Sequence, residues 1–306
     1  MPYTPDIANK PDTIERRRMD GFAYDPIFDV DLARRALAED VGRGDLTSEA
    51  TIPAGARARG RIIAKADGIV AGLPMAALVF RLLDPNTHVV LTAHDGDRVT
   101  RGQRLAVLEG NARALLTAER TALNFLGRLS GIATLTAHCV AATSGTQARI
   151  IDTRKTTPGL RALEKYAVRM GGAANHRSGL DDGILIKDNH IAAVGSVGVA
   201  VTMARAHASH LIKVEVECEN EAQVREALDA GADAILLDNM PEEAMLTAVA
   251  LIRERDPRIV IEASGNIGPD PQRLAAVAAT GVDLISLGAL THSAPVFDVS
   301  LEFDAE

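Results

Sequence analysis

The chain has 306 residues, with 33 Lys/Arg against 41 Asp/Glu and a formal charge of -8. That acidity, with aromatics at 3% and no Trp, excludes the basic footprint and the stacking platforms of nucleic-acid binders. Hydrophobic content of 47% fits one large globular domain or two ordinary ones, and no uninterrupted run approaches the roughly 18 apolar residues of a membrane span.

Residues 1–26 are polar and irregular, with Pro2, Pro5 and Pro11, and lack the apolar stretch of a signal peptide. They read as a leader that is mobile or docks late, with Arg16, Arg17 and Arg18 on a solvated helix face. Residues 28–40 pattern as a short amphipathic helix, and the Gly/Asp-rich residues 40–47 as a loop. Short strands follow at 59–64, 89–92 and 105–108. Residues 95–105 have the Gly/Val/Gly/Leu rhythm of lipoyl-type sandwiches, but the turn region 71–75 lacks the lysine those domains carry. Tight turns in a small sheet are therefore expected. Residues 112–143 are helical in period, through Leu115, Ala118, Ala122, Leu126 and Leu129, with Gly127, Ser130 and Gly131 allowing a close approach. Glu119 and Arg120 interrupt this apolar stretch, either as an exposed pair or as a functional one. The two cysteines, Cys139 and Cys218, have no motif spacing and fit buried thiols in a reducing compartment, here the cytoplasm.

From about residue 148 the chain alternates strand and helix. Strands are expected at 149–152, 183–187, 212–217, 234–238, 259–264 and 283–288, with helices such as 221–230, 242–254 and 271–280 between them. This is the pattern of a parallel α/β barrel or a doubly wound sheet. Residues 296–303 alternate with period two and read as an antiparallel strand returning to the N-terminal sheet.

Chemistry concentrates at the strand ends, where parallel barrels place functional groups. Five of the expected strands end on polar residues: Asp152 leading into Arg154 and Lys155, then Lys187, Glu217, Asp238 and Ser264, and the sixth ends at Ser286 and Gly288. Between Arg154 and Arg177 six Lys/Arg face one acid, Glu164, inside an acidic protein. Such a patch fits a small polyanion. Arg154, Lys155, His176, Arg177 and Lys187 suit a dicarboxylate, a diphosphate, or both, because arginine binds planar carboxylates in bidentate fashion. Along 213–218, Lys213, Glu215 and Glu217 alternate with Val214, Val216 and Cys218, so the charged face points into the barrel. Buried charges need partners, and Lys187 and Lys213 are the obvious ones; a structural ion-pair ladder fits Lys213 and Glu215 well and Glu217 less well. Glu217 and Asp238 suit a Mg²⁺ shared with a ligand diphosphate. The turns Ser264–Gly265–Asn266 and Ser286–Leu287–Gly288 lie where barrels bind phosphate through backbone N–H groups. His190 reads as structural. Lys187 at a strand end would also fit a Schiff-base aldolase, and the basic pocket a non-catalytic sensor of anionic metabolites.

Residues 39–47 (EDVGRGDLT), 117–124 (TAERTALN), 152–159 (DTRKTTPG), 175–177 (NHR), 185–190 (LIKDNH), 234–240 (AILLDNM) and 262–267 (EASGNI) closely resemble the quinolinate phosphoribosyltransferases, the carboxylating nicotinate-nucleotide pyrophosphorylases. The match runs from about residue 28 to the C-terminus. It implies an α/β sandwich at 27–130, with 292–306 returning to it, and an incomplete α/β barrel at 131–291. It implies transfer of phosphoribosyl from phosphoribosyl diphosphate (PRPP) to quinolinate with decarboxylation, using Mg²⁺ and no organic cofactor, nucleic acid or membrane. It also implies a homodimer with shared sites, leaving further assembly open. By the resemblance, Arg120 enters the neighbouring subunit's site, while Arg154, His176 and Arg177 contact the pyridine dicarboxylate. Lys155, Lys187, Glu217 and Asp238 serve PRPP and its metal, Thr153 belongs to the substrate-binding set, and Ser264–Asn266 and Ser286–Gly288 receive the 5′-phosphate.

Overall fold

A computed structural model describes residues 28–304; the expected leader and the last two residues lie outside them. The first part of the chain runs α1 (Val30–Val41), α2 (Leu46–Thr51), β1 (Arg57–Ala64), β2 (Gly68–Ile69), α3 (Leu73–Leu83), β3 (His88–Leu91), β4 (Arg98–Val99), β5 (Arg104–Asn111) and α4 (Ala112–Ala142). The second runs β6 (Arg149–Ile151), α5 (Arg161–Met170), β7 (Ile184–Ile186), α6 (Asp188–Val194), α7 (Val197–His207), β8 (Val214–Cys218), α8 (Glu221–Asp229) and β9 (Ala234–Asp238). It ends with α9 (Glu242–Arg255), β10 (Val260–Ser264), α10 (Pro271–Ala278), β11 (Leu284–Ser286), α11 (Ala289–His292) and β12 (Val299–Phe303).

The N-terminal antiparallel sheet has the order β12-β1-β5-β3, and the C-terminal strand β12 pairs with β1 from Gly60–Phe303 to Ala64–Val299. The parallel sheet has the order β6-β11-β10-β9-β8-β7. From β7 to β11, strands consecutive in the chain are adjacent in space, and the first, β6, joins the last, β11. A doubly wound sheet would reverse direction at a switch point; this sheet instead curls into a six-stranded barrel left open between β6 and β7. A segment without regular structure lies in the gap: Ala174 forms a parallel bridge with Ile151 and donates to the Ile150 carbonyl at 3.0 Å.

Two expectations change. Residues 73–83 form α3, a helix that starts inside the turn region expected at 71–75 and that no reading of the sequence anticipated. Its positions from Leu73 to Phe80 are nearly all buried, so it is apolar all round and has no amphipathic period to betray it. The loop at 40–47 is shorter than expected because Asp45 accepts from the Ser48 N–H at 3.0 Å and starts α2.

Helix α4 joins the two halves. It is long and apolar enough to span a membrane by length and composition, yet half of that window is buried within the protein. Its glycines let the returning tail cross it: Phe297 N–H donates to the Gly127 carbonyl at 2.9 Å, and a Cβ on Gly131 would lie 2.0 Å from the Pro295 oxygen. In an unobstructed helix Gly→Ala stabilises by about 1 kcal/mol. Here Gly131→Ala should instead destabilise by about 1–3 kcal/mol, as overpacking does, measured by urea denaturation. A stabilised variant would refute the close crossing.

Candidate active site

The strand ends open into a cavity of about 570 Å³. Twelve of the residues expected from sequence line it: Thr153, Arg154 and Lys155 after β6, His176 and Arg177 in the barrel gap, Lys187 after β7, Glu217 on β8, Asp238 on β9, Ser264, Gly265 and Asn266 at the end of β10, and Ser286 on β11. Leu185, Asp188, Leu236, Asn239 and Glu262 complete the wall.

Asp152 organises one side. Its carboxylate is fully buried and accepts from Lys165 Nζ at 2.5 Å, Asn175 Nδ2 at 2.6 Å and the His176 N–H at 2.8 Å. Burial raises its pKa, and the Lys165 hydrogen bond and charge oppose that rise. Lys165 is therefore a structural cation and leaves the anion-binding set. Arg161 is similarly engaged, donating to Thr156 Oγ1 and the Ser178 carbonyl. Arg169 donates to Asn175 Oδ1 at 2.7 Å and lies over the Tyr166 ring, so the local charge excess of the sequence narrows to Arg154, Lys155 and Arg177, with Lys187 opposite.

The two arginines are unusual. Arg154 Nε and Arg177 Nε are both buried and have no hydrogen-bond acceptor. Arg177 gives one Nη1 bond to the Gly183 carbonyl at 2.9 Å; burial lowers its pKa first, and the neighbouring Arg154 charge lowers it further. Each guanidinium group thus keeps an unused donor on the cavity wall.

Across the cavity, Lys187 forms an ion pair with Glu217, as expected. The expected Lys213–Glu215 ladder is absent: β8 begins at Val214, leaving Lys213 exposed before it, and Glu215 points inward to His176. The Arg177 N–H donates to His176 Nδ1 at 2.6 Å. By that geometry Nε2 carries a proton; it lies 3.2 Å from Glu215 Oε2 and 3.6 Å from Glu262 Oε2. Burial holds the imidazole's pKa down, but the Glu215 hydrogen bond and the charges of Glu262 and Glu215 outweigh it, so the net shift is upward. The ligand atoms of His176, Glu215 and Glu262 lie within 4.8 Å of one another. A metal there would need the Nε2 lone pair, which the proton occupies, so the cluster is a hydrogen-bonded support for the Arg177 wall. Glu262 is the member that sequence reasoning missed. A lone acid in an otherwise apolar strand (Val260, Ile261, Ala263) was the available signal.

The phosphate-type turns are only partly as expected. Gly265 and Asn266 both have positive φ, 84° and 48°, and a Cβ on Gly265 would lie 2.5 Å from Asn239 Oδ1. Their N–H groups donate to no acceptor among the described residues, which leaves them free for an anion. The second turn differs. Leu287 is buried and gives its N–H to the Ile151 carbonyl at 3.0 Å, so it is not a ligand group. Neither Leu287 nor Gly288 lines the cavity; Gly288 instead supports the Lys155 stem, its missing Cβ falling 3.0 Å from Lys155 Cδ. Ser286 reaches the cavity with its hydroxyl 2.9 Å from that of Ser264. His190 is structural, as expected: its Nδ1 accepts the Lys187 N–H at 2.9 Å at the start of α6. Arg120 is exposed on α4, outside the cavity of its own chain.

Glu217 and Asp238 offer an all-oxygen pair on adjacent strands at the mouth. That donor set fits Mg²⁺, which takes one or two carboxylates and completes its shell with phosphate and water.

Comparison with known proteins agrees with this geometry. Residues 45–130 match the N-terminal domain model, and residues 132–302 the C-terminal domain model, of quinolinate phosphoribosyl transferase. The chain belongs to the quinolinate phosphoribosyltransferase family. It is 48% identical over 266 residues to a probable nicotinate-nucleotide pyrophosphorylase (carboxylating) of Synechocystis, covering 87% of this chain and 89% of that one. It is 49% identical over 271 residues to its counterpart in Bacillus subtilis, covering 89% and 92%. The solved nicotinate-nucleotide pyrophosphorylase of Francisella tularensis superposes with a TM-score of 0.84 at 39% identity, covering 91% of this chain and 96% of that one.

Burial raises the Glu262 carboxyl from 4.5 to about 8, reinforced by the Glu215 charge. Its folded value exceeds its unfolded one, so its contribution to stability is complete below the unfolded value and declines as pH rises toward 8. Glu262→Gln keeps the neutral shape. It should match the native protein at pH 5 and exceed it at pH 8 by on the order of 1–2 kcal/mol, read from denaturation midpoints across that range. Parallel pH curves would contradict the assignment.

Proposed function

We propose that the protein transfers the phosphoribosyl group of PRPP to quinolinate with loss of CO₂, giving nicotinate mononucleotide and diphosphate, a step of de novo NAD synthesis. The observation that carries this reading is the pair of buried, unsatisfied arginine donors on one wall, facing a lysine–carboxylate mouth on the other. Quinolinate, a planar pyridine 2,3-dicarboxylate, supplies the anion that Arg154 and Arg177 lack. Bidentate pairing there would hold the ring nitrogen toward the sugar. His176, with both nitrogens engaged, acts on this wall by holding the Arg177 backbone. Thr153 accepts the Lys155 N–H at 3.0 Å and shapes the same loop.

In this reading the free N–H groups of Gly265 and Asn266, with the Ser264 and Ser286 hydroxyls, receive the 5′-phosphate. Lys155 and Lys187 face the diphosphate. The ring nitrogen forms its bond to the anomeric carbon as the bond to diphosphate breaks. Lysine charge at the departing oxygens is worth most where charge develops. Glu217 and Asp238 would hold Mg²⁺, which would supply positive charge to stabilise the leaving group. The product nitrogen is cationic. It stabilises the electron pair left at C2 when the adjacent carboxylate departs as CO₂, and C2 then takes a proton, so no organic cofactor is needed. The alternative of a Schiff-base aldolase is disfavoured because Lys187 is ion-paired with Glu217 rather than presented as a free amine.

We further propose a homodimer in which the exposed Arg120 completes the partner's site. The free, buried thiols of Cys139 and Cys218 suit a reducing compartment, which supports a cytoplasmic protein.

Incubation with quinolinate, PRPP and Mg²⁺ should release diphosphate and CO₂ in equal amounts; a folded protein that yields neither sinks the reading. Arg120→Ala and Lys155→Ala should each lose about 100-fold or more in kcat. Mixing the two inactive proteins should restore part of the activity, because one hybrid site carries both native residues. Subunit exchange without recovery would remove the shared-site proposal.

A further inference from the structure

We infer that Arg128, on α4 and outside the catalytic cavity, is a positioning residue that sets the pose of the loop carrying Arg154 and Lys155. The kinetic part of this inference rests on the reading above; the structural part does not.

Arg128 is a hub. Its Nε and Nη2 donate to Glu164 Oε1 at 3.1 and 2.7 Å, and Nη2 also reaches Thr157 Oγ1 at 3.4 Å and the Thr291 carbonyl. Nη1 reaches the Ala294 carbonyl at 3.5 Å. Glu164 is fully buried on α5, and its second oxygen accepts the Thr157 N–H at 3.0 Å. Thr291, whose carbonyl Arg128 holds, donates its hydroxyl to the Lys155 carbonyl at 2.7 Å. Arg161 holds Thr156 Oγ1 and the Arg154 carbonyl from one side; the other two grips, at Lys155 and at Thr157 on either side of Thr156, both lead back to the Arg128 guanidinium group.

The loop has no ladder hydrogen bonds of its own. It lies between the end of β6 and Pro158, which has no N–H to donate. Side-chain anchors therefore decide where Arg154 and Lys155 point. Only a fork of several donors reaches Glu164, Thr157, Thr291 and Ala294 together; a lysine has one nitrogen. A buried ion pair replaced by apolar groups is often no loss to stability, so a network this elaborate is better explained by the placement it enforces. Arg128 also lines a second cavity of about 280 Å³ with Glu39 and Asp40, which places it at the seam between α1, α4 and α5.

The test uses hydrogen exchange and steady-state kinetics on the full chain. Thr291→Val removes one grip with little change of shape, and Arg128→Ala removes the hub. Exchange in a peptide spanning 153–160, which contains the Thr157 amide held by Glu164, should rise about tenfold or more in both, with peptides from β8, β9 and β10 unchanged. Losses in kcat of about 10–100-fold should follow with KM values altered less than about threefold. Free guanidinium should restore part of the Arg128→Ala activity. Unchanged loop exchange and kcat in both variants would overturn the inference. So would exchange rising equally across β8 to β10, which would make Arg128 a residue of global stability alone. If the native protein itself shows no turnover, the proposed reaction fails while the exchange measurement still decides the loop's anchoring.

Discussion

The site depends on one buried carboxylate. Asp152 directly follows β6, where the barrel is open, and gathers Lys165, Asn175 and the His176 backbone onto its two oxygens. Lys165 balances its charge, and the hydrogen bonds satisfy both oxygens, the conditions under which a buried acid is tolerated. This clamp holds Ala174 against the free edge of β6, in the place a neighbouring strand would occupy, and leads the chain from there to His176 and Arg177. Without it, Arg177 and Arg154 would have no reason to face the same cavity, since they leave different loops.

From that clamp the electrostatics follow outward. One wall carries two arginines whose buried Nε donors lack acceptors and whose charges repel each other. Behind it, His176, Glu215 and Glu262 form a support in which burial keeps one acid protonated near neutrality. The opposite mouth holds Lys187, Glu217 and Asp238. An acidic protein can thus present a concentrated cationic wall to a small dianion, while its surface charge discourages nucleic acids. In the proposed reaction, charge separation across one cavity, rather than net charge, would sort the two substrates to their places.

Much of this was visible in the residues. The period of 112–143 became α4, the βα alternation from 148 onward became the barrel, and the two-residue alternation at 296–303 became β12 on the N-terminal sheet. Strand ends exposed the site because polar residues after apolar runs have one economical explanation in a parallel sheet. The βα alternation by itself could not choose between a barrel and a doubly wound sheet, since both share the same local pattern and differ only in strand order; the family resemblance supplied the barrel. Helix α3 was hidden by being buried on every side. The division of labour among charges was hidden too. Lys165 and Lys155 look alike in sequence, yet one is sealed against Asp152 and the other is exposed. The Arg128 hub gave no signal, because a single arginine in a helix has the same local pattern whether its partners are solvent or a loop brought to it by the tertiary fold.

The central claim is that Arg154 and Arg177 form a wall built for two carboxylates. Calorimetric titration of the protein with quinolinate and with nicotinate, which lacks the 2-carboxylate, tests it without requiring turnover. Charge-assisted bidentate contacts predict that quinolinate binds at least about tenfold more tightly, and that Arg177→Met removes most of the difference. Equal affinity for the two pyridines, in a folded protein with both arginines intact, would contradict the account.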